Sequence, residues 1–327
     1  MIKKLFLLLL IAIFLSAAAI AYWTTQPINS PSAAPVDFTI APGSGVRGSA
    51  EQIATAGVPV NPWLLELVAR ATGKSARMKA GSYTFKPGTT PLRLIDQLVR
   101  GEFAQESLAI IEGWTFAQMR RAIAAHPGLK HETAQWSEKE LLSRVAPDAK
   151  AAEGLFFPDT YLFAKNSGDL QVYRQAYTMM QKKLDEGWRQ RAADLPYETP
   201  YQALIMASIV EKETGRRAER GQIAGVFVNR LKRGMLLQTD PTVIYGMGER
   251  YQGQIRKRDL QADTPFNTYT RAGLPPTPIA LPGAASLQAA LNPVKSSALY
   301  FVARGNGSSQ FSDTLTDHNR AVNQYQR

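Results

Sequence analysis

The run from Leu5 to Trp23, LFLLLLIAIFLSAAAIAYW, holds nineteen residues and no charge. A bilayer core about 30 Å thick needs about 20 such residues in a helix, so this segment is predicted to cross a membrane. Lys3 and Lys4 precede it, and no Lys or Arg follows until Arg47. That asymmetry predicts a short cytoplasmic stub with everything after Trp23 exported, and Tyr22 and Trp23 stand where aromatic rings anchor the outer interface. Ala17, Ala18 and Ala19 offer the alternative of a cleaved signal peptide. The apolar run continues past them through Ile20 to Trp23, which favours an uncleaved single-pass anchor. Either way the body of the chain works outside the cytoplasm, a poor setting for ATP, NAD or genomic DNA.

A chain of 327 residues can build two compact domains. Thr24–Pro35, rich in Pro, Ser and Ala, reads as a linker. Residues 36–105 read as a small α+β domain: a strand at Val36–Ile40, helices at Ala50–Ala56 and Asn61–Thr72, a returning strand at Gly81–Phe85 and a helix at Pro91–Arg100. Residues 106–150 read as a connecting segment, with a strand at Ser107–Glu112 and a helix capped by Thr115. The domain expected over 151–327 starts with helices at Leu170–Leu184, Tyr201–Thr214 and Glu219–Arg233. Its Pro-, Gly- and Asn-rich remainder is expected to form loops and short strands around a groove.

The absence of cysteine excludes disulfides, thiolate nucleophiles and cysteine-built zinc sites. His126, His131 and His318 are scattered without metal-ligand spacing, so neither metal nor cofactor is expected. Gly43–Gly48 matches a dinucleotide fingerprint, but a Pro-flanked helical stretch follows where a parallel strand is required, and a tight turn explains it. Lys and Arg total 38 against 27 Asp and Glu, a net charge of +11. Export argues against nucleic acid as the anionic partner. Clusters such as Arg216/Arg217/Arg220 are expected as solvated surface facing lipid headgroups or an anionic polymer.

Chemistry concentrates in Tyr201–Gly215, YQALIMASIVEKETG. At about 100° per residue, Ala203, Ile205, Met206, Ile209 and Val210 share an apolar arc, and Glu213 falls inside it. Glu211 lands nearly opposite, beside Leu204 and Ser208, where pairing with a base such as Arg216 or Arg217 is expected. A carboxyl on an apolar arc is desolvated, which raises its pKa and lets it donate a proton near neutral pH. Glu213 is therefore the candidate general acid. Gln238, Thr239 and Asp240 before Pro241, and Asn267 and Tyr269 in FNTY, are candidate substrate-binding residues, since amides pair donors with acceptors and aromatic faces pack on apolar surfaces. Turn chemistry is their ordinary alternative. Asp159 is expected to cap a following helix or brace the groove.

The fragment Ile209–Thr214 resembles the Ile-x-x-x-Glu-Ser helix of goose-type lysozymes and soluble lytic transglycosylases, with Thr214 in place of Ser. The chain as a whole more closely resembles the membrane-anchored endolytic murein transglycosylases (YceG-like). The resemblance rests on Lys79–Phe85 (KAGSYTF), Ile111–Thr115 (IEGWT), Phe157–Tyr161 (FPDTY), Ala207–Glu213 (ASIVEKE), Leu237–Gly246 (LQTDPTVIYG), Phe266–Tyr269 (FNTY) and Gly273–Pro276 (GLPP). It implies a LysM-like small domain before a lysozyme-like catalytic domain, cleavage of the MurNAc–GlcNAc β-1,4 bond of peptidoglycan, and 1,6-anhydro-MurNAc ends. It also implies an inner-membrane location with the catalytic domain on the extracytoplasmic side, and peptidoglycan synthases as candidate partners. Two alternatives stay open at this point. One is a muramidase-type hydrolase using Glu213 and Asp240; the other is a non-catalytic peptidoglycan-binding scaffold.

Overall fold

Ile2–Thr25 forms one helix, α1, in which Leu5–Ile11, Ile13, Phe14 and Leu15 lie bare. Within it Lys3–Thr25 is long and apolar enough to cross a membrane. The computed structural model describes residues 2–28, 34–213 and 216–326, so part of the expected linker, and Thr214, lie outside the described residues. The chain divides into two compact units, and helix and strand are mixed within it. The first unit comprises Met1–Ser107, Gly128–Lys130 and Leu162–Ser167; the second holds the rest. Most of residues 106–150, expected to be a connector, thus belongs to the second unit.

In the first unit β1 (Val36–Ile40) is followed by α2 (Val46–Thr55), α3 (Pro62–Ala71), β2 (Gly81–Phe85) and α4 (Pro91–Arg100). β1 and β2 pair antiparallel, with Val36 opposite Phe85 and Ile40 opposite Gly81. This βααβ order contains no parallel pair, so Gly43–Gly48 is a turn into α2 and not a dinucleotide loop. Local chemistry starts each helix. Asn61 accepts from the amides of Trp63 and Leu64 ahead of α3, and Thr90 accepts from that of Arg93 ahead of α4, each with Pro at the first helical position. Phe38, Ile53, Leu65, Tyr83, Phe85, Leu94 and Leu98 fill the core, and Ile20 and Trp23 of α1 pack against it. Gly81 is obligatory, because its φ is +147° and a Cβ there would collide with the Phe103 ring.

After β3 (Gln105–Ala109) come α5 (Phe116–Ala124), β4 (Leu129–Lys130) and α6 (Glu138–Val145). Reciprocal caps start α5 (Thr115 with Gln118) and α6 (Ser137 with Glu140). β5 (Thr160–Ala164) follows Asp159, whose carboxylate accepts from the Thr160 amide. No helix begins there for it to cap. β6 (Ser167–Gly168), α7 (Leu170–Arg189), α8 (Pro200–Glu213), α9 (Arg220–Lys232), α10 (Asp240–Met247), α11 (Lys257–Gln261), α12 (Ala284–Leu291), β7 (Tyr300–Ala303), β8 (Ser309–Ser312) and α13 (Leu315–Tyr325) complete the chain. The last hundred residues are mostly loops with two short strands, as expected, but they also hold the short helices α10 to α13, which were not expected. Pro241 does not force a turn; as the second residue of α10 its missing N–H costs nothing.

α8 is the hub of the second unit, packed by α7, α9, α10 and α12. Every residue from Ala203 to Val210 is buried, so the helix is enclosed on all sides rather than along one stripe. Even Ser208 is taken up, donating to the Ile205 carbonyl and accepting from the Ile279 amide.

Candidate active site

Glu213 is the last residue of α8 and lines an open cleft of about 690 Å³. Its neighbours there include Phe227 and Arg230 of α9, Gln238, Asp240, Tyr269, Tyr300 of β7 and His318 of α13. Burial pushes its carboxyl above the usual range, and the Asp240 charge adds to this. The Thr239 hydroxyl, which donates to Oε1, and the Arg230 charge pull the other way. The negative end of the α8 dipole also opposes a carboxylate there.

Glu211, two residues earlier, is just as removed from water, its side chain being 5% exposed. It accepts from Arg220 Nη2 at 2.8 Å and from the Gly283 amide at 2.9 Å. The partner is Arg220, not Arg216 or Arg217, and Arg220 is itself buried rather than part of a solvated basic patch. Burial therefore does not separate the two glutamates; their partners do. Glu211 is a salt-bridged strut between helices, while Glu213 meets a neutral hydroxyl.

The loop before α10 is pinned from both ends. Gln238 has φ of 51°, an unusual value for a residue with a side chain, and its amide donates to the Thr268 carbonyl at 3.1 Å. Arg230, 8% exposed, donates to the carbonyls of Leu236, Leu237 and Leu299 and lies 5.2 Å from the centre of the Tyr300 ring. Thr239 is buried, held by Thr268 and Thr242, so its hydroxyl is aimed at Glu213 by a fixed backbone.

Asp240 and Tyr269 both line the cleft, and the Tyr269 hydroxyl donates to Asp240 Oδ1 at 2.5 Å. Asn267 does not line it. Its amide donates to the Leu260 and Ala262 carbonyls, and its Oδ1 accepts from the Tyr269 amide. It shapes the loop that presents Tyr269. Among the described residues no three His, Asp or Glu side chains gather as a metal site.

The YceG-like family model matches residues 38–324. The chain belongs to the YceG-like family. It is 30% identical to an endolytic murein transglycosylase of Bacillus subtilis, over 92% of this chain and 87% of that protein. It is 27% identical to one of Streptococcus pneumoniae, over 90% of this chain but only 59% of the longer relative. The crystal structure of a yceG-like protein from Listeria monocytogenes superposes with a TM-score of 0.55 at 28% identity, covering 88% of this chain and 99% of that one.

In this YceG-like chain the cleft residues that escaped the sequence reading include Arg230, Tyr300 and His318. Arg230 sits close to Lys232 and Arg233 and looks like one more surface cation. His318 stacks on Tyr300 with ring centres 5.2 Å apart, and desolvation together with the Arg230 charge lowers its pKa. The packing of α9 on α8 brings Arg230 to the cleft, and the return of β7 and α13 brings Tyr300 and His318 there; no local pattern encodes either.

Proposed function

We propose that this chain is an endolytic murein transglycosylase in which Glu213 is general acid and then general base. The observation that carries the reading is a carboxyl whose pKa burial raises, at the end of a buried helix and inside a cleft of polar and aromatic side chains. Glu213 donates its proton to the glycosidic oxygen between MurNAc and GlcNAc as that bond breaks. The substrate's own 2-acetamido group stabilises the oxocarbenium-like carbon, a route with precedent among glycosidases. The Thr239 hydroxyl and the Arg230 charge then favour the carboxylate just formed, which takes the proton from the muramic C6 hydroxyl as that oxygen closes the 1,6-anhydro ring. Gln238, Asp240 and Tyr269, with the Tyr300–His318 pair, hold the sugars; Thr239 and Asn267 act through Glu213 and Tyr269.

α1 anchors the enzyme in the bacterial inner membrane, with the rest of the chain after it on the extracytoplasmic side. The βααβ order of the first unit supports a LysM-like glycan grip, which delivers nascent strands to the cleft near the membrane. Muropeptide mass spectrometry on uncrosslinked glycan tests the reading. The native chain should yield 1,6-anhydro ends, and Glu213→Gln, almost the same shape without the proton, should lose about 10²-fold or more. Ends lacking the anhydro ring would instead establish the hydrolase reading, which the presence of Asp240 in the same cleft favours. Unimpaired Glu213→Gln protein would leave a wall-binding scaffold.

A further inference from the structure

A second cavity, of about 400 Å³, lies at the other end of α10 and has no part in the chemistry above. Val243 and Met247 contribute an apolar wall; Arg250, Arg256 and Arg258 contribute charge. The single acid lining it, Asp259, is already engaged by the Arg256 amide at 2.8 Å and by Arg258 at 3.8 Å. Arg250 and Arg256 are exposed, and neither makes an ion pair among the described residues. Gln252 and Gln254 add amides to the rim. A cavity with surplus guanidinium forks, flanking amides and an apolar wall suits a carboxylate on a short peptide, because the fork matches a carboxylate in two parallel hydrogen bonds.

The position relative to the cleft narrows the ligand. Asp240 begins α10 in the cleft, and Met247 ends it at the cavity. Seven steps of a helix span about 10 Å, comparable to one disaccharide of a glycan strand. The two sites are also locked together. Tyr245 packs edge-on against Phe266 at 4.8 Å, and Gly246 comes so close to Thr264 and Phe266 that an added Cβ would lie 3.0 and 3.1 Å from them. Each muramic acid of a murein strand carries a stem peptide with free carboxylates. We propose that the arginine cavity binds the stem-peptide carboxylates of a muramic acid close to the scissile bond. The inference rests on the transglycosylase reading and extends it: the enzyme selects peptide-bearing strands. A phosphate headgroup offers related chemistry, but nothing would tie it to a fixed distance from Glu213.

The test uses the full-length chain in detergent and the double variant Arg250→Gln/Arg256→Gln, two exposed positions outside the catalytic cleft. Formation of anhydro ends is followed on uncrosslinked strands with intact stem peptides and on the same strands stripped of peptide by an amidase. The native chain should prefer the intact strands. The double variant should lose about ten-fold on these, the worth of one charge-assisted hydrogen bond, and match the native rate on stripped ones. Equal losses on both substrates, or none on either, would overturn the proposal. So would inhibition by inorganic phosphate that the double variant abolishes while strand preference stays unchanged, for the cavity would then be a headgroup site. Calorimetric titration with a soluble disaccharide tripeptide and with the bare disaccharide judges the cavity without any cleavage. A peptide-dependent gain in affinity that the double variant lacks upholds it, and no gain refutes it. Absence of anhydro ends from the native chain would sink the transglycosylase reading alone.

Discussion

Two glutamates end α8, and what each one touches decides what it can do. Glu213 is poised between opposing neighbours, so its titration can be moved in either direction. Thr239→Val removes a hydroxyl that stabilises the carboxylate, raising the Glu213 pKa; the basic limb of the kcat/KM profile should move to higher pH. Asp240→Asn removes a charge that opposes ionisation, and the same limb should move lower. Limbs shifting together would show that Glu213 is not the group being titrated. A separate carboxyl, Glu153, is buried where it accepts from the Phe116 amide and the Tyr245 hydroxyl, and its pKa is pushed up to about 7 by desolvation. Unfolded, it titrates near 4.5. Between those values the folded chain keeps a proton that the unfolded chain has lost, so stability falls as pH rises through the window, by about 3 kcal/mol in all. Glu153→Gln should therefore melt above the native chain at pH 8 and close to it at pH 5 in thermal denaturation. The heptapeptide ASIVEKE named Glu213 in advance, although the apolar-arc argument rested on a stripe that the enclosed helix does not have. Glu153 gave no such sign, because its desolvation comes from segments distant in sequence.

Elements form where local chemistry is strong and meet the site where tertiary contacts place them. Caps and Pro at first helical positions made α3, α4 and α5 legible almost to the residue. α10 through α13 were not, since the same Pro, Gly and Asn residues serve turns and helix starts alike. The loop from Leu236 to Thr239 depends on α9 through Arg230, whose guanidinium donates to the Leu236 and Leu237 carbonyls and to that of Leu299. Arg230→Met should cost about 1–3 kcal/mol for each carbonyl left unpaired. With three carbonyls affected, calorimetry should show a drop of at least about 6 °C, at about 2–4 °C per kcal/mol for a unit this size. Lys232→Met, two residues on, breaks only an ion pair to the 89%-exposed Asp194 and should leave the melting temperature nearly unmoved.

For the whole molecule, α1 is long and apolar enough to cross a membrane, and the second unit holds the candidate cleft. Leu9 and Ile13 are bare, at 57% and 56% exposure, as lipid-facing side chains should be. Leu9→Arg with Ile13→Arg costs about 3 kcal/mol per residue at the centre of a spanning helix. The doubly substituted chain should leave the membrane pellet in an alkaline carbonate wash and still cut soluble glycan. An N-terminus beginning near Ala17–Ala19 on the native chain would instead reveal signal cleavage. The amino-acid sequence alone determined the apolar span, the βααβ order, the helix carrying two glutamates and the family resemblance, because each is written in contiguous residues whose periodicity or motif is local. Tertiary structure alone decided which glutamate is neutralised by Arg220, that Arg230, Tyr300 and His318 close the cleft, that Asn267 serves the loop, and that α10 joins the cleft to an arginine cavity. Those outcomes depend on which distant segments exclude water from a given side chain, and that is set by packing rather than by neighbours in the chain.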